Sequence, residues 1–149
     1  MNWNLLFALC AAGAGACIAL QASANSEFRK NLSDQWYAAF FSICGTFATA
    51  IAAMIVFRPS PPSSEAFRST QWWNWVGGPL GAMIVLAGAT LTHRLGAAAF
   101  IALVVGGQLL CSLILDHFAL MGLPEQPVSV GRVGGAVLVI AGVLCIKYL

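Results

Sequence analysis

Charge is scarce in this sequence. Seven Lys/Arg and five Asp/Glu make up 8% of 149 residues, while 60% are apolar. Soluble domains carry about 25% charged residues, and a core of this chain length cannot enclose so much apolar surface. A soluble globular domain is therefore excluded, and the surplus must face lipid. The formal charge of +2 comes without a basic stripe interleaved with aromatics, which excludes a nucleic-acid surface. Only two histidines occur, His93 and His117, and neither lies near a cysteine in sequence. The five cysteines (Cys10, Cys17, Cys44, Cys111, Cys145) form no C-x-x-C pair. No metal site, cofactor or disulfide is expected, and the cysteines are read as small buried apolar groups. Catalysis needs a positioned acid, base or nucleophile. Asp116 and His117 are sequence neighbours about 100° apart on a helix, so they do not converge, and an enzyme is not expected. Strand alternation, long disordered tracts and internal repeats are also missing.

What is present is a series of long apolar runs. Crossing a bilayer takes about 20 apolar helical residues, and five runs qualify. They cover about 3–24, 36–57, 72–92, 95–118 and 129–149. Trp3, Trp36, Trp72, Trp73 and Tyr148 stand at run ends, where amphipathic rings favour the membrane interface. The expected fold is an all-α integral membrane bundle of five transmembrane helices in a single domain. Ala22-Ser23-Ala24 has the look of a leader cleavage site. No Lys or Arg precedes it, however, and the run exceeds the roughly 7–15 residues of a leader core, so it is read as a retained span.

The linkers are short. The first, 25–35, carries Glu27, Arg29, Lys30 and Asp34. In the second, Pro59, Pro61 and Pro62 stop the helix, and Ser63-Ser64-Glu65 opens one short interfacial turn. The third, at His93-Arg94, is tight enough to predict an antiparallel hairpin. Pro124 and Pro127 interrupt the chain before the fifth run, with Ser129 as its N-cap.

Five spans place the termini on opposite sides of the membrane. Arg58, Arg68 and Arg132 then fall on the side of the N-terminus, and Arg29, Lys30, Arg94 and Lys147 on the other. Orientation follows Lys/Arg asymmetry in short loops, and three against four is almost none. Two readings follow: one orientation fixed by folding, or insertion both ways followed by pairing into an antiparallel homodimer. The second gives ten helices as inverted repeats, a plan with the substrate site between the repeats.

Polar groups inside lipid are costly and need a reason. Gln21 and Asn25 share a face of the first run, Gln108 lies near the middle of the fourth, and Ser112 and Asp116 follow it at i+4 and i+8. Gln21, Asn25, Gln108 and Ser112 are candidate substrate ligands, since a primary amide both donates and accepts. Asp116, the only carboxylate near a span, is a candidate coupling group for a proton or cation, or else a solvated helix end. An inverted partner would bring its Asp116 to the side of Gln21. Ser42, Thr46 and Thr49 read as interhelical glue or as side chains bonded to their own i−4 carbonyls. Gly77, Gly81 and Gly88 share one helix face, and Gly131, Gly135 and Gly142 another; both sets contain G-x-x-x-G and are read as packing surfaces. Gly106-Gly107 lies near the midplane, where it would loosen the helix or clear room for a substrate. Pro79 is expected to kink the third span.

These residues carry a resemblance. The Gly/Ala-rich stretch from Gly13 to Gln21 and Asn25, the segment from Trp75 through Gly78, Pro79 and Gly81 to Arg94 and Gly96, and Gln108, Leu115-Asp116-His117-Phe118, Arg132, Gly135 and Gly142 together resemble the YdcZ-type family of the drug/metabolite transporter superfamily. The resemblance covers essentially the whole chain. It implies a five-helix unit working as an antiparallel pair, a multi-pass place in a bacterial inner membrane, and transport of a small molecule. The small multidrug exporters of that superfamily carry a membrane-embedded Glu in their first helix; here no carboxylate precedes Glu27, which argues against cation-for-proton exchange by that route. The expected function is secondary transport by alternating access between two inverted protomers. The alternative is a membrane scaffold or accessory subunit whose polar residues only hold helices together.

Overall fold

The computed structural model describes residues 2–149. Six α-helices follow one another: α1 (Trp3–Leu32), α2 (Gln35–Phe57), the short α3 (Ser64–Arg68), α4 (Gly77–Leu95), α5 (Ala97–His117) and α6 (Val130–Tyr148). Two 3-10 turns, Trp72–Trp75 and Leu120–Gly122, precede α4 and α6. No strand occurs among the described residues. Five stretches are long and apolar enough to cross a membrane: α1, α2, Trp72–Leu95, α5 and α6. At most 22% of the apolar stretch of any of them is buried, so most of their apolar surface looks outward, as a lipid-facing helix requires. The chain divides into two compact units, one ending at His93 and the other covering Arg94–Leu149.

In the first unit, α1 is longer than its apolar run. The expected end at Ala24 is corrected to Leu32, because residues 25–32 contain no helix breaker and Glu27 pairs with Lys30 at 3.5 Å one turn on. The apolar run ends at Ala24, and the helix continues past it with charged residues on its surface. Ser33 then turns into the left-handed region (φ 55°) and its N–H donates to the Arg29 and Lys30 carbonyls, closing the helix. Asp34 starts the next helix at once. Its Oδ1 accepts from the Trp36 N–H at 2.7 Å and the Tyr37 N–H at 2.9 Å, satisfying two orphan donors. Two residues thus separate α1 from α2, which pack together with the Phe28 and Phe41 rings 6.1 Å apart. Asp34→Ala should destabilise the protein by about 1 kcal/mol while Asp34→Asn stays near neutral; thermal unfolding in detergent measures the difference.

Ser63 caps α3, its Oγ accepting from the Ala66 N–H at 3.1 Å, as the sequence predicts. Pro79 does not sit mid-helix, where a kink would be expected. It lies in the first turn of α4, where a missing N–H breaks no helical bond. Thr46 and Thr49 donate to the Ser42 and Gly45 carbonyls at 3.1 and 2.9 Å, so these hydroxyls serve their own helix rather than a neighbour.

In the second unit, Gly96 takes φ 83° just before α5, a conformation that favours glycine. Helix α5 is unbroken through Gly106-Gly107. Gly106 is buried, and a Cβ there would lie 3.6 Å from Val143 Cγ2 of α6. It is therefore a point of close helix approach, not a loosened stretch. Ser129 caps α6, accepting from the Arg132 N–H at 3.3 Å. The five cysteines, expected to be buried, are free and exposed on helix surfaces; in a membrane an apolar thiol is as well placed against lipid as in a core.

Candidate functional site

A cleft opens in each unit. The cleft of the first unit lies between α1, α2 and α4 and has a volume of about 540 Å³. Helix α1 contributes Ile18 and Gln21, α2 contributes Ile43, Thr46, Phe47 and Ala50, and the start of α4 contributes Gly77, Gly78 and Gly81. The spacing of Gln21 from Ile18 (i, i+3) and of Thr46 and Phe47 from Ile43 and Ala50 puts each group on one helix face. Glycine is what leaves room here. A Cβ at Gly77, Gly78 or Gly81 would meet nothing within 4 Å in the unit, so the start of α4 offers bare backbone and Ala82, Ile84 and Val85 supply apolar side chains further on. No charged residue lines the cleft.

Asn25, one turn beyond Gln21, is 5% exposed, and its Nδ2 has no hydrogen-bond partner. Thr92 in the same unit is also buried with an unpartnered Oγ1. Native structures leave few such groups unsatisfied. Asn25 is not among the cleft-lining residues.

The cleft of the second unit, about 340 Å³, is lined by Leu109, Ser112, Leu113 and Asp116 of α5 and by Arg132, Gly135, Ala136 and Val139 of α6. The α5 residues follow i, i+3, i+4, i+7, one stripe of a helix. Gln108, one position before that stripe, is rotated off it; it is exposed and lines neither cleft. Ser112 donates its hydroxyl to the Leu109 carbonyl at 2.9 Å. A Cβ at Gly135 or Gly142 would also meet nothing within 4 Å in the unit, and at Gly131 only the Ser129 Oγ at 3.9 Å. Gly88 in the first unit is buried.

Asp116 is not a free carboxylate. Arg132 Nη2 donates to its Oδ2 at 2.8 Å, with both side chains about 30% exposed. The same guanidinium donates to the Gln126 carbonyl and to Gln126 Oε1, each at 2.8 Å, and the Gln126 N–H donates to the Asp116 carbonyl at 2.8 Å. His117 Nδ1 accepts from the Val128 N–H at 3.3 Å. The connection from α5 to α6 is thereby tied down at both ends. It includes Ala119 and Met121 at φ 49° and 56°, strained conformations for residues with a side chain. The helix dipoles explain the pairing. Asp116 lies in the last turn of α5, the negative end, and Arg132 in the first turn of α6, the positive end. Each charge is unfavourable for its own helix, and each offsets the other.

The sequence points to Asp116 as a candidate and to Arg132 as a loop charge and a residue of the family pattern, without pairing the two. Opposite charges at the adjoining ends of consecutive spans were the available signal, since a chain that leaves the membrane at Asp116 re-enters it near Arg132 on the same side.

Residues 6–145 match the family described as "Putative inner membrane exporter, YdcZ". Inner membrane protein YdcZ of Escherichia coli (strain K12) is 36% identical over 78 residues, which span 52% of this chain and 52% of that one. The matched stretch thus covers about half the length of this curated relative. No solved structure matches the chain. With five apolar helices of spanning length and a family match over nearly its whole length, this multi-pass inner membrane protein belongs to the YdcZ family.

Proposed function

We propose that the protein is a small-molecule secondary transporter that works by alternating access in an antiparallel pair of five-helix protomers. The observation that carries this reading is the cleft of about 540 Å³ in the first unit. Ligand sites run to about 300–1,000 Å³, mostly apolar with a few polar groups that fix orientation. Gln21 and Thr46 are such groups on otherwise apolar walls. The family's description as an exporter supports outward transport. The near-even division of Lys and Arg between the two sides of the membrane supports insertion in both orientations.

In this proposal Gln21, Asn25, Gln108 and Ser112 contact substrate during the cycle. Gln21 does so within the cleft. Asn25 brings an unpartnered buried amide nitrogen one turn away. Gln108 presents its amide outward from mid-helix, where hydrocarbon offers no hydrogen bond and a substrate held between the two copies would. Asp116 couples transport to a proton or cation by exchanging Arg132 for it. Protonation or cation binding at Asp116 would release its contact with Arg132, leaving the guanidinium on Gln126. Gly88, Gly131, Gly135 and Gly142 let backbones approach in the assembled pair, as Gly77 and Gly81 do beyond the room they leave in the cleft.

Topology tests the pair directly. Single cysteines introduced into the 33–34 link and at the C-terminus of a cysteine-free variant should each label from both sides of the membrane, in roughly equal parts. Labelling from one side alone would end the antiparallel proposal.

A further inference from the structure

The cleft of the first unit has no charged lining residue, and its polar side chains are Gln21 and Thr46. Gln21 offers a primary amide with two donor hydrogens and an acceptor oxygen. None of the side-chain hydrogen bonds among the described residues involves it. Thr46 has already given its hydroxyl hydrogen to the Ser42 carbonyl, so it faces a ligand as an acceptor. We propose that this site takes uncharged, largely apolar molecules that carry an amide-like edge, an N–H beside a C=O, and that it rejects cations. The proposal rests on reading the cleft as the transport site and adds its substrate class.

The chemistry follows from the lining. A primary amide is self-complementary: its N–H and C=O pair side by side with the C=O and N–H of another amide, two bonds from one side chain. A second N–H on the ligand finds the Thr46 oxygen. The remaining walls, Ile18, Ile43, Phe47 and Val85 among them, suit an aliphatic or aromatic body.

A cation would enter without a counter-charge, because the carboxylates of this unit are placed elsewhere. Glu27 is six residues from Gln21, on another face of α1, and pairs with Lys30. Asp34 caps α2, and Glu65 lies in α3. One aromatic face, Phe47, gives far less than the removal of an unpaired charge from water costs. An anion is no better served, since no Lys, Arg or His lines the cleft.

Three probes of nearly equal shape separate these cases: benzamide, benzamidinium and benzoate. Equilibrium binding of the radiolabelled probes to the purified protein in detergent should rank benzamide above both ions by about tenfold or more. Gln21→Ala should lose about tenfold in benzamide affinity, and Gln21→Glu should reverse the order in favour of benzamidinium. Gly81→Leu, which fills the open wall, should abolish benzamide binding; gel filtration checks that each variant stays monodisperse. The wild-type ranking needs no variant. Benzamidinium binding as well as benzamide, benzamide binding unchanged in Gln21→Ala, or no saturable benzamide binding at all would each overturn the assignment. Flux into proteoliposomes separates this proposal from the one beneath it. Benzamide bound with the expected ranking but not carried removes transport and keeps the selectivity. Benzamidinium carried in preference keeps transport and removes the selectivity.

Discussion

Under the proposed mechanism, Gln108→Ala is expected to abolish transport by the reconstituted protein while leaving the proposed pair assembled. The reason is the position of the side chain. Gln108 lies near the middle of α5, an apolar 21-residue helix, with its amide exposed and lining neither cleft. A primary amide held in hydrocarbon is retained only if something pays for its desolvation, and in the proposed pair that something is the substrate. Losing one or two hydrogen bonds made on the transport path, with the substrate's own polar groups left unpaired, costs about 2–3 kcal/mol, roughly a hundredfold in rate. The measurement is probe flux into proteoliposomes, with crosslinking of the same preparation reporting the pair. Gln108→Asn should restore part of the flux, because it keeps the amide on a shorter stem. Wild-type flux in Gln108→Ala removes Gln108 from the site, and loss of the pair together with flux makes it a packing residue.

The second large effect is expected at Arg132. Removing it strands Asp116 at the negative end of α5 and severs both contacts to Gln126. Breaking a buried ion pair costs about 3–5 kcal/mol. Both side chains here are about 30% exposed, so solvent reduces the cost to about 2 kcal/mol. Arg132→Ala should therefore lower the melting temperature in detergent by several degrees. The Asp116→Ala, Arg132→Ala double variant should be less destabilised than the two single changes added together, by about 1–2 kcal/mol. Arg132→Lys should recover only part, since an ammonium cannot hold the carboxylate and the Gln126 amide in one planar fork. A single variant within about 0.5 kcal/mol of wild type, inside the scatter of ordinary surface changes, would show that the pair contributes nothing to stability.

Much of the architecture was legible because hydropathy and capping are local. The five spans follow from apolar runs of sufficient length, and Ser63 and Ser129 cap helices where their positions predict. Where the reading erred, two different physical boundaries had been treated as one. The first apolar run ends near Ala24 because charged residues follow from Glu27, yet α1 goes on to Leu32 because nothing in 25–32 stops a helix. Pro79 was placed inside a span that begins with a 3-10 turn, so it falls in a first turn and not mid-helix. Gly106 could be recognised as special but not assigned, since only the arrival of Val143 distinguishes close packing from looseness. The Asp116–Arg132 pair was hidden for a different reason. It joins residues 16 apart through a connection with two non-glycine residues in the left-handed region, and no period or motif reports such a turn.

The unequal lengths of the helices set how the protein meets its bilayer. At 1.5 Å per residue, the 30 residues of α1 make a rod of about 45 Å, whereas the 21 of α5 reach about 32 Å. The hydrocarbon layer of a typical membrane is about 30 Å thick. A long helix adapts by tilting or by projecting into the headgroups, and a short one by thinning the bilayer or by letting flanking residues snorkel. Lengthening the lipid acyl chains therefore strains the ends of α5 while α1 still has length in reserve.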